Sequence, residues 1–186
     1  MAVSGFLFPK WYADRVARLR VPGGFVLVAA FAWLSRPSAE SLLSGLPVAA
    51  LGLALRGWAA GHLRKNLRLA QSGPYAFTRN PLYVGTLLAA GGLAIASRRW
   101  ALAALFAAVF LFVYLPVIEL EEQHLRRLFP EYSVYAEYVP KLVPRWRRER
   151  AQGRFEWAVY AKNQEYQAAL GFLAGTGWLV LRWLTS

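Results

Sequence analysis

Apolar residues in this chain gather into five long runs, with polar and charged residues confined to the intervals between them. The runs cover about residues 21–35, 41–61, 81–97, 100–118 and 166–184. A membrane-crossing helix needs roughly 17–25 apolar residues, so the second, fourth and fifth runs suffice, while the first and third are short. The first run needs Leu19 and Arg20 at its interface to cross. The pattern predicts an all-α integral membrane bundle of about five transmembrane helices, one domain over residues 1–186. Gly57-x-x-x-Gly61 and Gly171-x-x-x-Gly175 have the small-residue spacing that lets helices approach closely in lipid, and packing is their expected role.

Charge orients the bundle. With a cytoplasmic N-terminus, four basic residues precede the first run (Lys10, Arg15, Arg18 and Arg20). Four more (Arg64, Lys65, Arg68 and Arg79) follow the second. Nine lie between the fourth and fifth (Arg126, Arg127, Lys141, Arg145, Arg147, Arg148, Arg150, Arg154 and Lys162), giving 17 of 22 on one side. The outer connections hold Arg36, Arg98 and Arg99, and Arg56 and Arg182 fall inside apolar runs. The positive-inside bias therefore predicts an N-in, C-out arrangement. Arg56, near the cytoplasmic third of its helix, is expected to snorkel.

Composition agrees and narrows the function. The 186 residues are 57% hydrophobic with mean hydropathy +0.30 and only 17% charged, far from a soluble domain. The net charge of +12 sits in patches between apolar runs, without a basic stripe or zinc spacing, which argues against nucleic acid as partner. There is no cysteine, which excludes disulfides, thiolate metal sites and cysteine nucleophiles, and two histidines are too few for a histidine-rich metal centre. The first twenty residues lack the continuous apolar stretch of a cleavable signal, so the N-terminus is expected to persist. No G-x-G-x-x-G, phosphate loop or H-E-x-x-H is present.

Two polar clusters stand out. Gly73-Pro74-Tyr75-Ala76-Phe77-Thr78-Arg79-Asn80-Pro81-Leu82-Tyr83-Val84-Gly85 is a Pro/Gly-punctuated turn leading into the third run. Pro81 suits the first helical turn, where its missing N–H leaves nothing unpaired, and Arg79 beside it carries a fixed fork of donors for a carboxylate. Glu119, Glu121 and Glu122 close the fourth run, next to His124, Arg126 and Arg127; ordinary pairing would join Glu122 to Arg126. The carboxylates also suit a cationic ligand or ribose hydroxyls. Tyr132, Tyr135 and Tyr138 then form a stripe for an interface or packing face, and Pro140 and Pro144 predict an extended exit. The short turn at Arg98-Arg99 makes the third and fourth helices an antiparallel hairpin, so both clusters are expected at one cytoplasmic site.

The two clusters resemble the signatures of the isoprenylcysteine carboxyl methyltransferase and phospholipid methyltransferase superfamily. Residues 73–85 match its G-x-Y-x-x-x-R-H-P-x-Y-x-G pattern. Glu121-Glu122-x-x-Leu125, then Phe129, Tyr132, Tyr135 and Val139-Pro140, resemble its E-E-x-x-L…F-G-x-x-Y-x-x-Y…V-P block, so the match covers residues 73–145. Asn80 replaces the signature histidine, Pro130 the usual glycine, and Tyr138 stands where carboxyl methyltransferases commonly carry arginine.

The resemblance implies S-adenosylmethionine as cofactor, entering from the cytosol, and a lipophilic acceptor entering from the bilayer, either isoprenylcysteine carboxylate-like or a lipid head group. It implies catalytic roles for Arg79 and Glu121, and cofactor contacts for Tyr75, Asn80, Pro81, Tyr83, Gly85, Glu122 and Leu125, with no metal. A cell membrane of a bacterium or archaeon is the expected location. Two further readings stand beside it: a membrane reductase using NADPH on a sterol-like lipid, and a non-catalytic membrane scaffold.

Overall fold

The computed structural model describes residues 8–145 and 153–185. Arg147, Arg148 and Arg150, counted on the inner side above, and the first seven residues lie outside the described residues. The described residues are all-helical, with α1 (Lys10–Leu34), α2 (Ala39–Ala60), α3 (Pro81–Ala96), α4 (Trp100–Leu128), α5 (Tyr132–Tyr138), α6 (Trp157–Lys162) and α7 (Tyr166–Leu184). α2 and α4 are long and apolar enough to cross a membrane, and α1 adds a third if its two bent halves cross as one span. α3 is apolar but has 16 residues. α7 has 19, among them Gln167, Arg182 and three glycines, and is not among the helices apolar enough to cross, so two or three spans stand among the described residues where five were expected.

Two helices are longer than their apolar runs. α1 starts at Lys10, eleven residues ahead of the expected position, because its polar first half is itself helical. Its halves, Lys10–Leu19 and Val21–Leu34, meet at 51°. Pro22 lies at this bend: it offers no N–H to the carbonyl four residues back, and its ring crowds that carbonyl. α4 continues past Ile118 to Leu128, 29 residues and about 43 Å at 1.5 Å per residue, against about 30 Å of hydrocarbon. The surplus carries Glu119, Glu121 and Glu122 beyond the apolar stretch. Within α4, residues Phe110–Tyr114 form a π-turn ahead of Pro116. Pro116 cannot donate to the carbonyl of Phe112, and the Tyr12 hydroxyl of α1 does so instead at 2.8 Å. A proline on one helix thereby fixes where its neighbour docks.

The closest packing joins α2 to α3. Gly45, Ala49 and Gly52 of α2 face Gly85, Ala89, Gly92 and Ala96 of α3, backbone against backbone. A Cβ at Gly52 or at Gly92 would stand 2.6 Å from the carbonyl oxygen of Gly85 or Gly45 across the interface. This differs from the expectation that Gly57/Gly61 and Gly171/Gly175 make the close contacts. Gly57 and Gly61 instead meet the Tyr160 and Phe155 rings, nothing lies within 4 Å of a Cβ at Gly171, and Gly175 only approaches Phe31 at 3.9 Å. The seam keeps the four-residue spacing with alanine as the second small residue (Gly45/Ala49, Gly85/Ala89, Gly92/Ala96) and repeats it after seven, which holds the small side chains on one face over two turns.

At one end of the bundle the connections are tied together. Arg36 N–H donates to the Ser97 carbonyl at 3.0 Å, and the Ser41 hydroxyl to that of Ala96 at 2.9 Å. Arg182 donates to the Ser35 carbonyl at 3.0 Å. The opposite end holds both polar clusters.

Gly92→Ala should destabilise the folded protein by about 1–3 kcal/mol, the usual cost of overpacking a filled site. Gly91→Ala, where nothing lies within 4 Å of the added atom, should not. Unfolding in mixed micelles followed by circular dichroism separates the two, and equal loss in both variants would refute the seam.

Candidate active site

The segment before α3 takes its shape from glycine and proline. Gly73 has φ +59°, and a Cβ there would lie 2.7 Å from the buried His62 ring. That ring is held by its Nδ1 and the Trp58 carbonyl at 2.9 Å, a structural role. Pro74 then opens a 3₁₀ turn over Gly73–Ala76, and Pro81 opens α3.

Between these two prolines, residues 77–80 lie alongside the extended exit, residues 139–145. Arg79 N–H donates to the Pro140 carbonyl at 2.9 Å and Arg145 N–H to that of Phe77 at 3.0 Å. The Thr78 hydroxyl reaches the carbonyls of Lys141 and Leu142, each at 3.2 Å. Asn80 donates to the Lys141 carbonyl at 3.0 Å and to Glu122 at 3.4 Å. Glu122 is buried; Arg79 lies 3.4 Å from its Oε1 and the Lys141 ammonium 3.7 Å from its Oε2. Lys141 also lies 3.5 Å from Glu119, which accepts the Phe8 N–H at 3.3 Å. Glu122 thus pairs across the fold, not with Arg126, whose guanidinium instead covers the Tyr132 ring.

Beside this junction lies a cavity of about 890 Å³. Of the residues singled out in the sequence, Tyr75, Arg79, Tyr83, Glu121 and Leu125 line it. The Tyr83 hydroxyl donates to Glu121 at 2.9 Å. Arg79 is largely buried, and its Nε has no hydrogen-bond partner. Asn80, Pro81, Gly85 and Glu122 stand behind the wall: Asn80 and Glu122 in the junction just described, Pro81 buried at the start of α3, and Gly85 against Gly52 and Arg56. Leu82, Tyr114, Val117 and Leu120 give one side an apolar surface, and Arg64, Lys65 and Arg68 a basic one.

The tyrosine stripe divides. Tyr132 and Tyr135 are buried and line the cavity, while Tyr138 is exposed. Burial holds the phenols of Tyr75, Tyr132 and Tyr135 well above their ordinary value; the neighbouring Tyr135 and Glu121 raise Tyr75 further. They stay protonated donors, and Tyr135 donates to the Tyr75 carbonyl at 2.7 Å.

Arg56 does not snorkel. Its guanidinium turns inward and engages Glu165 with two nitrogens, the second at 3.1 Å, and also the Thr86 hydroxyl and the Leu82 carbonyl. In an apolar helix a paired guanidinium costs less than a bare one, and Glu165, just ahead of α7, supplies the partner. Arg56, Arg64, Asn163 and Glu165 all line the cavity, and sequence reasoning did not include them in the site. A charge of each sign, placed at the same end of two apolar runs, was the available signal. Asn163 donates to the carbonyls of Ala60 and Leu63 at 2.9 and 2.8 Å, closing the C-terminus of α2.

Residues 45–132 match the family model for phospholipid methyltransferase. The chain is 35% identical over 133 residues to the cobalt-zinc-cadmium resistance protein CzcN of Cupriavidus metallidurans, covering 70% of this chain and 59% of that protein. It is 31% identical over 146 residues to the nickel-cobalt-cadmium resistance protein NccN of Alcaligenes xylosoxydans xylosoxydans, covering 77% of this chain and 67% of that one. The chain therefore spans about three fifths to two thirds of the length of these relatives. No solved structure matches.

Removing Glu165 strands the Arg56 guanidinium. Glu165→Ala should lower stability by on the order of 3 kcal/mol, as for other broken buried pairs, with Arg56→Met/Glu165→Leu recovering much of the loss. Thermal unfolding in detergent checks both, and a single variant as stable as wild type would show that the pair does not hold α7 in place.

Proposed function

This chain belongs to the phospholipid methyltransferase family, and we propose that it transfers a methyl group from S-adenosylmethionine to a lipophilic acceptor resident in the bilayer. The observation that carries the reading is the cavity wall itself. The family-type residues Arg79, Tyr83 and Glu121 meet there, and Arg79 Nε is buried without a partner. The residues fit the cofactor's chemistry. A guanidinium fork suits its carboxylate. The Glu121 carboxylate, oriented by the Tyr83 hydroxyl, suits its ammonium or ribose hydroxyls.

When bound, S-adenosylmethionine supplies a methyl group made electrophilic by its sulfonium. The chain's own part is to bind, orient and exclude water. Arg79 and Glu121 contact the cofactor; Glu122, Asn80 and Lys141 act as positioning residues that hold Arg79 and the exit strap. The apolar surface of Leu82, Val117 and Leu120 receives the acceptor and keeps solvent away. Orientation of two reactants is worth about 7–11 kcal/mol when near-attack geometry is held, so no covalent nucleophile is needed. Family membership favours methyl transfer over nicotinamide-dependent reduction or a purely structural role. The relatives' names concern metal resistance of those proteins and specify no acceptor, so the acceptor class rests on the apolar wall and the bilayer setting.

We place the site on the cytoplasmic face, with the N-terminus inside and the C-terminus outside. The charge bias supports this arrangement.

Arg79→Ala and Glu121→Ala should each weaken S-adenosylmethionine binding by about 1.5–3 kcal/mol, the range for hydrogen bonds to charged groups. Calorimetry on purified, folded variants measures this, and unchanged affinity in both would remove these residues from the site. Because the chain has no cysteine, Ser133→Cys and Glu40→Cys report topology cleanly. An impermeant thiol reagent should label the second in intact cells and the first only after the membrane is opened. Reversed labelling would invert the bundle.

A further inference from the structure

The end of α3 remote from the cavity carries a second concavity. α3 runs from Pro81 at the junction to Ala96, about 24 Å at 1.5 Å per residue. Where it ends, a groove of about 470 Å³ opens between α3 and α4. That is within the roughly 300–1,000 Å³ of ordinary ligand sites. Its walls are apolar, formed by Gly91, Ala94, Ile95, Ala103 and Phe106, and its mouth carries Arg98 and Arg99.

The charge at this end is unusual for its side. Cations are concentrated at the opposite face, yet here Arg36, Arg98, Arg99 and Arg182 stand against a single carboxylate, Glu40. All four cations are arginines, whose planar fork matches phosphate oxygens. Arg98 adopts φ +55° in the three-residue turn between the helices, which sets two successive guanidinium groups at the groove's mouth. Arg99 is fixed against α1 by its Nε bond to the Leu34 carbonyl at 2.9 Å, and Arg98 is exposed. Trp100 at the same rim is 84% exposed, as an indole is at the level of lipid head groups.

We propose that this groove binds an anionic phospholipid, its phosphate at Arg98 and Arg99 and one acyl chain along Gly91, Ile95, Ala103 and Phe106. Cations over an apolar slot complement a lipid that is anionic at one end and apolar along its length. Gly91 keeps the slot open, since nothing lies within 4 Å of a Cβ there. The site is separate from the methyl-transfer cavity and does not depend on its assignment.

The test is native mass spectrometry of the purified protein with equal amounts of phosphatidylglycerol and phosphatidylcholine of the same chains. The wild type should retain phosphatidylglycerol preferentially. Arg98→Asn, a residue at home in the left-handed region, should reduce that preference about fivefold, the effect of one basic residue near an anionic head group. Gly91→Leu should lower retention of both lipids while thermal unfolding stays unchanged. Equal retention of the two lipids by the wild type would overturn the proposal. So would an unaltered preference in Arg98→Asn, or undiminished retention in Gly91→Leu.

Discussion

The backbone-to-backbone seam between α2 and α3 is the constraint from which the rest of the arrangement follows. Gly45, Gly52, Gly85 and Gly92 leave no room for a side chain, so the two helices have essentially one register. In lipid, apolar side chains gain little by leaving a solvent that is as apolar as they are. Close van der Waals contact takes over as the cohesive term. The seam ends at Gly85, whose absent side chain leaves space for the Arg56 Cγ. The tight packing therefore delivers Arg56 to Thr86 and to Glu165, and through Glu165 it fixes where α7 begins. A structural device at one end of the interface becomes one wall of the cavity at the other.

A second constraint acts at the polar end. α4 overruns its apolar stretch and brings three glutamates to the level where α3 begins. The exit strap, residues 139–145, then closes on residues 77–80 through main-chain bonds that specify position but little sequence. Sequence specificity enters through Asn80, Arg79 and Lys141, all directed at Glu122. A buried carboxylate with three donors is tolerated because desolvation is offset by pairing, and removing any donor leaves the charge under-compensated. Asn80 in place of the family histidine fits this role: its amide donates simultaneously to Glu122 and to the Lys141 carbonyl, and it does not titrate.

What the sequence disclosed follows from which interactions are local. The all-α class, the runs of α2, α3 and α7, and the two clusters at one end were legible because hydropathy, Pro81 and the short Arg98-Arg99 turn act within a few residues. The extra length of α1 was not, since Lys10–Leu19 is too charged to register as apolar yet docks through Tyr12 on Phe112, 100 residues away. The Arg56–Glu165 pair spans 109 positions and belongs to no motif, so its one trace in the sequence is a charge of each sign at the same end of two apolar runs. The glycine seam was missed for a different reason. Glycine pairs four apart drew attention to Gly57 and Gly61, whereas the seam's four-residue pairs have alanine as their second member and recur every seven residues.

The adjacent glutamates show how one helix serves both structure and chemistry. Successive residues of a helix point about 100° apart, since 3.6 residues make a turn. Glu122 accordingly faces the strap and Glu121 the cavity, where Tyr83 orients it. A change of charge at position 122 acts on the junction and reaches the cavity through Arg79 and Tyr132. The same change at 121 acts on the cavity wall directly. The pair reads as one acidic motif in sequence but divides into a residue that holds the site's shape and a residue that presents its charge. That division accounts for two consecutive carboxylates at the end of a membrane helix, where a single one would leave either the strap or the cavity without its counterpart.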